Sequence, residues 1–124
     1  MNQKGFATLE IILMVMVVGI LATMAVPQFE KVTAQANTAK VQSDLAAINS
    51  AVAIYQMEKG AVPAYNDIAN STYFENGAPQ APTGKVYVKG TITAIGSTGY
   101  GINGDGKATF MDKTAEEFTS KTSS

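Results

Sequence analysis

The sequence predicts an α+β protein, in which a long N-terminal hydrophobic α-helix packs in its second half on a small three- to four-stranded antiparallel sheet. Three features of the 124 residues support this fold class. An apolar run occupies residues 6–26, and an apolar stripe at helical spacing continues to residue 59. After residue 84, alternating apolar and polar residues separated by glycine-rich turns indicate short strands. The length is that of a single domain.

Composition excludes several classes of function. Nine basic residues, all Lys, stand against ten acidic ones, and they are scattered singly, so a nucleic-acid-binding patch is not indicated. The sequence contains no Cys and no His, which removes disulfides, thiolate chemistry, zinc sites and histidine general bases. We therefore predict a non-enzymatic protein, without catalytic, cofactor-binding or metal-binding residues.

The apolar run is long enough to cross a membrane. Of the 21 residues from Phe6 to Val26, 17 are apolar, and Glu10 carries the only charge. As a helix the run would rise about 31 Å, close to the ~30 Å of a bilayer's hydrocarbon core. Pro27 follows directly and removes one helical hydrogen-bond donor, which can kink or unwind the helix there. We predict a membrane-spanning half of the helix over residues 6–27.

Three interpretations of this run compete. It can be a plain single-pass anchor, or a secretory signal cleaved after Thr23-Met24-Ala25, although it exceeds the usual ~7–15 apolar residues of such signals. The third interpretation starts from Glu10, because a carboxylate in hydrocarbon costs about 2.5–3.5 kcal/mol and so requires a partner.

A partner for Glu10 would arise from proteolysis. A cut between Gly5 and Phe6 would place a new α-amine four residues before Glu10, one helical turn away on the same face. An amine with a pKa of ~7.7–8.0 is mostly protonated at neutral pH. Between two lengthwise-staggered helices, such a pair would fix both register and adhesion. The pattern therefore predicts a helix that assembles in parallel with its copies.

The segment Lys4-Gly5-Phe6-Ala7-Thr8-Leu9-Glu10 resembles the processing site of type IV prepilins and of the related type II secretion pseudopilins. In that family a short basic leader ends in Gly, and cleavage precedes a Phe that becomes N-methylated. A Glu is the fifth mature residue, with a Gly near the fourteenth and a Pro near the twenty-second. The matching positions here are Gly5, Phe6, Glu10, Gly19 and Pro27. The resemblance covers residues 1 to about 60.

The resemblance implies a set of roles and partners. Residues 1–5 would be a leader peptide, Gly5 and Phe6 the processing site, and Phe6 the N-methylation site, with Glu10, Gly19 and Pro27 serving assembly. The precursor would sit in the bacterial inner membrane and the product in an extracellular pilus at the cell surface. Its partners would be copies of itself in a helical homopolymer, a prepilin peptidase, and an inner-membrane assembly platform with its ATPase.

Within the family two functions remain open. A type IV pilin forms surface fibres for adhesion, motility or DNA uptake, whereas a major pseudopilin forms a short periplasmic piston in a type II secretion system. The absence of Trp favours the pilin, but the pair of cysteines common near the C-terminus of pilins is absent too. From other classes, a signal-anchored periplasmic binding protein is the alternative, and a membrane-tethered hydrolase is more remote.

The second half of the helix is predicted over residues 28–59. Its apolar stripe is predicted to face a core. The helix is predicted to end at Lys59-Gly60, where a cation is followed by glycine. The stripe comprises Ala34, Val41, Leu45, Ile48, Val52 and Tyr55, widened by Ala47, Ala51 and Ile54. From Thr33 to Lys40 the residues are mostly Ala, Thr, Asn and Gln, which are too small for a core but suit contact with neighbouring subunits.

The remaining chain divides into a connecting loop, residues 60–84, and a β head with its tail, residues 85–124. A loop of that length predicts some local structure around Tyr65 to Phe74. Strands are predicted at residues 85–88, 91–95, 100–102 and 108–111, followed by a short turn at 115–118 and fraying from 119 to 124.

One turn has weak metal-binding character. Asn103-Gly104-Asp105-Gly106, with Asp112, could offer oxygen ligands to calcium. It does not match an EF-hand, and a hairpin turn explains the same residues without an ion. We therefore predict no cofactor.

Overall fold

The computed structural model describes residues 3–122, with the backbone alone for Ala25 and Val26. Met1 and Asn2 of the predicted leader, and Ser123 and Ser124 of the predicted tail, lie outside the described residues. The chain forms two compact units that meet between Val32 and Thr33. We refer to them as the N-terminal unit (residues 3–32) and the head unit (residues 33–122).

Helix α1 spans Gln3–Lys59 and includes Pro27. It ends where glycine allows a left-handed backbone: Gly60 has φ 72°, and its N–H donates to the carbonyl of Gln56 over 2.8 Å. This left-handed cap satisfies a terminal carbonyl of the helix. The predicted helix stop at Lys59 is therefore confirmed.

The head unit adds a short helix, four strands and one 3₁₀ turn to the second half of α1. Within the connecting loop, α2 (Tyr65–Ile68) provides the predicted local structure. The strands are β1 (Lys85–Val88), β2 (Thr91–Ala94), β3 (Tyr100–Ile102) and β4 (Ala108–Phe110), and the 3₁₀ turn is Ala115–Glu117.

Both strand pairs are antiparallel hairpins with turns that match their sequence. Between β1 and β2, Lys89 and Gly90 have φ of 49° and 84°, as the two-residue type I′ turn requires. Five residues link β3 to β4. Within them the Gly106 N–H donates to the Asn103 carbonyl over 3.0 Å, and Gly106 has φ 81°, as in a type I turn followed by a glycine bulge.

The α+β class with a long N-terminal helix is confirmed, but the strands form two two-stranded sheets instead of one sheet of three or four. The expected pairing of β2 with β3 is absent from the sheets of the described residues. Burial gives the physical reason: β1, β3 and β4 each bury a side chain, whereas β2 buries none. The core therefore does not hold β2 against β3, and the intervening Ile95–Gly99 segment contains two glycines.

The core lies between the helix stripe and the two hairpins. The stripe residues Val41, Leu45, Ile48 and Val52 are at most 2% exposed. At the centre of the sheet side, the ring of Phe110 lies 5.2 Å from that of Tyr100 and 5.8 Å from that of Phe118, measured between centroids. These spacings are typical of favourable aromatic contacts.

Two of the residues that were predicted to widen the buried stripe are not part of it. Ala47 and Ile54 are exposed, and Ile54 keeps 47% of its surface, whereas Ala51 is buried as predicted. The contact face of α1 is narrower than the pattern indicated because two small two-stranded sheets cover less of the helix than one continuous sheet would.

Side chains of α1 bond the outer edges of both hairpins. The amide of Asn37 donates to the carbonyl of Lys85 over 2.8 Å, and the hydroxyl of Thr38 accepts from the Tyr87 N–H over 2.9 Å. On the other hairpin, Asn49 accepts from the Ala108 N–H over 2.7 Å. Because an unpaired strand edge invites pairing with another chain, these bonds protect β1 and β4.

The C-terminal segment is attached to the same assembly. Phe118 is fully buried, and its carbonyl accepts from the side chain of Gln42. The turn N–H groups of Lys89 and Gly90 donate to the carbonyls of Glu117 and Thr119 over 2.8 and 2.9 Å. The predicted fraying therefore does not begin at Thr119.

A buried phenol connects β3 to α1. The hydroxyl of Tyr100 donates to the carboxylate of Asp44 over 2.5 Å, and Asp44 also pairs with Lys40 over 2.6 Å. Burial, together with the hydrogen bond to Asp44 and its negative charge, raises the pKa of Tyr100 well above its usual value near 10.

This contact predicts a loss of stability at high pH. The folded head holds the Tyr100 proton more tightly than the unfolded chain does. Its contribution to the free energy of unfolding is therefore constant below about pH 10 and declines as the pH rises further. Chemical unfolding of Tyr100→Phe, followed by circular dichroism, should show a smaller decline above pH 10 than the parent chain. Tyr87→Phe, outside the Asp44 contact, should decline like the parent, and equal slopes for Tyr100→Phe would contradict the assignment.

Candidate assembly site

The N-terminal unit exposes nearly all of its apolar side chains. From Phe6 to Met24, the large apolar residues keep 50–72% of their surface. By length and composition, α1 is apolar enough to cross a membrane, and none of its most apolar stretch is buried. An apolar surface of this extent marks contact with lipid or protein, because it far exceeds what a monomer leaves in water.

Glu10 and four apolar residues of the same helix line a shallow, open apolar groove on this surface. The four are Leu13, Met14, Val17 and Val18, which lie on one face of α1. A carboxylate beside such a groove can receive a ligand that combines an apolar group with a cation. This is the chemistry of an N-terminal phenylalanine, which carries a ring and an amine.

The predicted processing bond lies within α1. Gly5 and Phe6 are both helical and exposed, and Phe6 keeps 55% of its surface. Glu10 is the fourth residue after Phe6, so both lie on one face of the helix with an axial rise of about 6 Å between them. The structure therefore brings Phe6 and Glu10 to one face, and it places Gly19 and Pro27 further along the helix, about 14 and 26 Å from Glu10.

Among the residues that the structure describes, no contact requires glycine at position 5 or 19. A Cβ added at either residue meets no heavy atom within 4 Å, and neither has a positive φ. Glycine inside a helix costs about 1 kcal/mol relative to alanine. The open space beside Gly19 leaves room for the close approach of a second helix.

Hydroxyls in this unit are satisfied by the helix itself. Thr8 donates to the carbonyl of Lys4 over 2.9 Å, and Thr23 donates to that of Ile20 over 2.6 Å. Pro27 has no N–H to give to the carbonyl of Thr23, four residues earlier. Apart from the Glu10 carboxylate, residues 6–26 therefore suit an environment without water. One helical hydrogen bond is missing at the Thr23 carbonyl.

In the head unit, one oxygen of the candidate calcium turn already accepts hydrogen bonds from the backbone of the turn. The side-chain oxygen of Asn103 accepts from the N–H groups of Asp105 and Lys107 over 3.1 and 2.9 Å. Within residues 3–122, no group of three or more His, Cys, Asp or Glu side chains could hold a metal ion. The prediction that the protein has no cofactor stays a prediction.

The sequence did not predict the contacts of several residues that stabilise the head unit. Asn37 and Thr38 lie in the stretch for which contact with neighbouring subunits was predicted, but they bond the backbone of β1 in the same chain. Asn49, for which no contact was predicted, bonds the backbone of β4. Phe118 was assigned only to a terminal turn, yet it completes the aromatic core. The signal available was its isolation as the single large apolar residue of the last segment. The contacts of the three polar residues could be recognised only once the strands were placed.

Curated proteins of known type resemble this chain. The major component of the type IV narrow pilus of Thermus thermophilus is 37% identical over 68 residues, which cover 55% of this chain and 59% of the relative. The type II secretion system core protein G of Klebsiella michiganensis is 36% identical over 62 residues, 50% of this chain and 44% of the relative. The fimbrial protein EcpC of Eikenella corrodens is 29% identical over 118 residues, 93% of this chain and 77% of the relative.

The extent of these similarities is limited. The chain spans less than two thirds of the length of the Thermus and Klebsiella relatives. No family model matches the sequence. No solved structure matches it either.

Fold and surface together describe a protein with a small α+β head and an N-terminal helix that is long and apolar enough to span a membrane. The relatives make the assignment more specific. The chain is similar to type IV pilus and fimbrial proteins and, over half of its length, to a core protein of type II secretion systems. The assignments of processing and assembly roles to individual residues stay predictions.

Proposed function

We propose that this chain is the structural subunit of a type IV pilus-like helical filament. It is inserted in the inner membrane as a prepilin, cleaved between Gly5 and Phe6, N-methylated on Phe6, and polymerised through α1. The observation that carries the proposal is the Glu10 carboxylate at the edge of an exposed apolar groove, on a helix that can span a bilayer. The names of the relatives, which are pilus, fimbrial and secretion-system proteins, support it.

Assembly follows from the chemistry of this helix. In the membrane, lipid covers the exposed apolar side chains of the N-terminal unit, and in a filament the same surface packs against neighbouring copies. The Phe6 amine of one subunit pairs with Glu10 of the next, while the Phe6 ring enters the groove beside Leu13 and Val17. An unpaired carboxylate in an apolar core is strongly disfavoured, so one register is selected.

Gly19 and Pro27 have distinct parts in this scheme. The open space around Gly19 lets a neighbouring helix approach closely. Pro27 lowers the cost of local unwinding, because the hydrogen bond to the Thr23 carbonyl is already missing. Helices can therefore adjust their packing near these residues as the subunit leaves the membrane.

The proposed role is non-enzymatic and depends on other proteins for its chemistry. A prepilin peptidase cuts and methylates the chain, and an inner-membrane platform with a cytoplasmic ATPase extracts it into the filament. The finished filament lies at the cell surface, where adhesion and motility are the functions open to it. Its main partner is a second copy of the same chain.

A second candidate is the major pseudopilin of a type II secretion system, favoured by the 36% identity to core protein G. The two functions differ in the length of the product. Electron microscopy of producing cells shows long surface fibres for a pilin and none for a pseudopilin at native expression levels.

The decisive experiment for either filament role is mass spectrometry of the mature N-terminus. We expect the chain to begin at an N-methylated Phe6. An intact Met1, or a start at Val26 after signal cleavage, would remove both filament roles and favour a plain anchor or a periplasmic binding protein.

A further inference from the structure

Three bonds in the head unit join Asn or Asp to a following glycine: Asn76–Gly77, Asn103–Gly104 and Asp105–Gly106. Glycine places no side chain in the way when its nitrogen attacks the preceding side-chain carbonyl. Sequence alone therefore predicts that the two Asn–Gly bonds are equally reactive in this attack. All three bonds lie in described turns, so their geometry can be compared.

The three bonds differ in whether the N–H of the glycine donates a hydrogen bond. The N–H of Gly77 donates to the carbonyl of Phe74 over 3.1 Å, and that of Gly106 donates to the carbonyl of Asn103 over 3.0 Å. Among the hydrogen bonds of residues 3–122, the Gly104 N–H donates to none. A Cβ added at Gly104 would meet no heavy atom within 4 Å, so this residue is open to solvent.

At Asn103, the side-chain carbonyl that would be attacked is also held by hydrogen bonds. Its side-chain oxygen accepts hydrogen bonds from two backbone N–H groups, those of Asp105 at 3.1 Å and Lys107 at 2.9 Å. The same oxygen would carry negative charge once the side-chain carbon is attacked. Fixed donors at the position where charge develops stabilise that transition state.

We propose that Asn103 is a self-modification site that deamidates in the folded head. The Gly104 nitrogen gives its proton to solvent base and forms a bond to Cγ of Asn103. The Cγ–Nδ2 bond then breaks, and Nδ2 takes a proton from water and leaves as ammonia. Water then opens the resulting succinimide at one of its two carbonyls, leaving aspartate or isoaspartate. The head gains one negative charge beside Asp105, and the isoaspartate adds a methylene to the main chain within the β3–β4 loop.

This inference rests on the geometry of the head and not on the filament role. The test uses the full chain in detergent micelles at mildly alkaline pH, with a parallel sample unfolded in guanidinium chloride. Peptide mapping by mass spectrometry follows the roughly one-dalton mass increase and the isoaspartate at Asn76 and Asn103. Asn76 is the matched control, because it has the same neighbour in the same chain.

In the folded sample, Asn103 should convert on the order of tenfold faster than Asn76, a modest effect beside the ~10²–10³ that one oxyanion donor supplies in an enzyme. The two residues should convert at similar rates when unfolded. Equal rates in the folded sample, or a folded rate at Asn103 below its unfolded rate, would overturn the proposal.

A pair of variants tests the attacking nitrogen. Gly104→Ala should retain the fold, since its Cβ meets no atom and its φ is not positive, yet slow conversion of Asn103 severalfold. Gly96→Ala is equally unobstructed but lies away from this turn, and it should leave the rate unchanged. Wild-type conversion in Gly104→Ala would refute attack by that nitrogen.

Discussion

Replacing Glu10 by alanine should leave membrane insertion intact and reduce filament formation about tenfold or more. Insertion persists because the substitution removes the one charge from the apolar run. Assembly fails because the Phe6 amine of the neighbouring subunit loses its partner, and removing one member of a buried pair costs about 3–5 kcal/mol. The measurement is the amount of sheared surface filament relative to chain in the membrane fraction.

Two further variants sharpen this test. Glu75→Ala removes an exposed carboxylate from the connecting loop and should assemble normally. Glu10→Gln keeps the shape but not the charge, so it should fail like Glu10→Ala if pairing with the amine is the reason. Wild-type filament from Glu10→Gln would refute the pairing, even if Glu10→Ala failed.

Replacing Phe110 by alanine should unfold most of the head near physiological temperature. Phe110 is fully buried between Tyr100 and Phe118, and Phe→Ala changes in cores cost about 3–5 kcal/mol. For a domain of this size, that cost corresponds to a fall in melting temperature of at least about 12 °C. All five tyrosines lie in the head unit and the chain has no Trp, so tyrosine fluorescence reports on the head.

The matched control is Phe29→Ala in the N-terminal unit. Phe29 keeps 71% of its surface, so its removal creates no cavity and should not shift the tyrosine transition. A melting temperature for Phe110→Ala within about 3 °C of the parent, less than 1 kcal/mol on the scale above, would show that the aromatic cluster does not hold the head together.

The N-terminal unit could be predicted from the sequence because the residues that define it lie close together along the chain. An apolar run of bilayer length, one carboxylate, and glycine and proline at fixed distances all belong to a single helix. Helical geometry alone places Phe6 and Glu10 on one face. The structure adds the shallow groove beside Glu10, which is lined by the residues three, four, seven and eight positions after it.

The head was less accessible because its organisation depends on contacts distant in sequence. Alternation and turn residues identified all four strands, yet they did not show that β2 and β3 remain unpaired. Alternation indicates which side chains share a face, not which strand lies beside which. The role of Asn49 likewise depends on Ala108, 59 residues later.

By itself the sequence determined that the protein is an apolar helix with a small α+β head, where the helix ends, and which residues could direct assembly. Those features depend on hydrophobicity and helical periodicity, which act over a few neighbouring residues. Only the tertiary structure decided that the head has two separate hairpins, that polar side chains of α1 protect their edges, and that Phe118 closes the core. It also distinguished Asn103–Gly104 from the identical pair at residue 76, because hydrogen bonds to the turn, not residue type, set the chemistry of each bond.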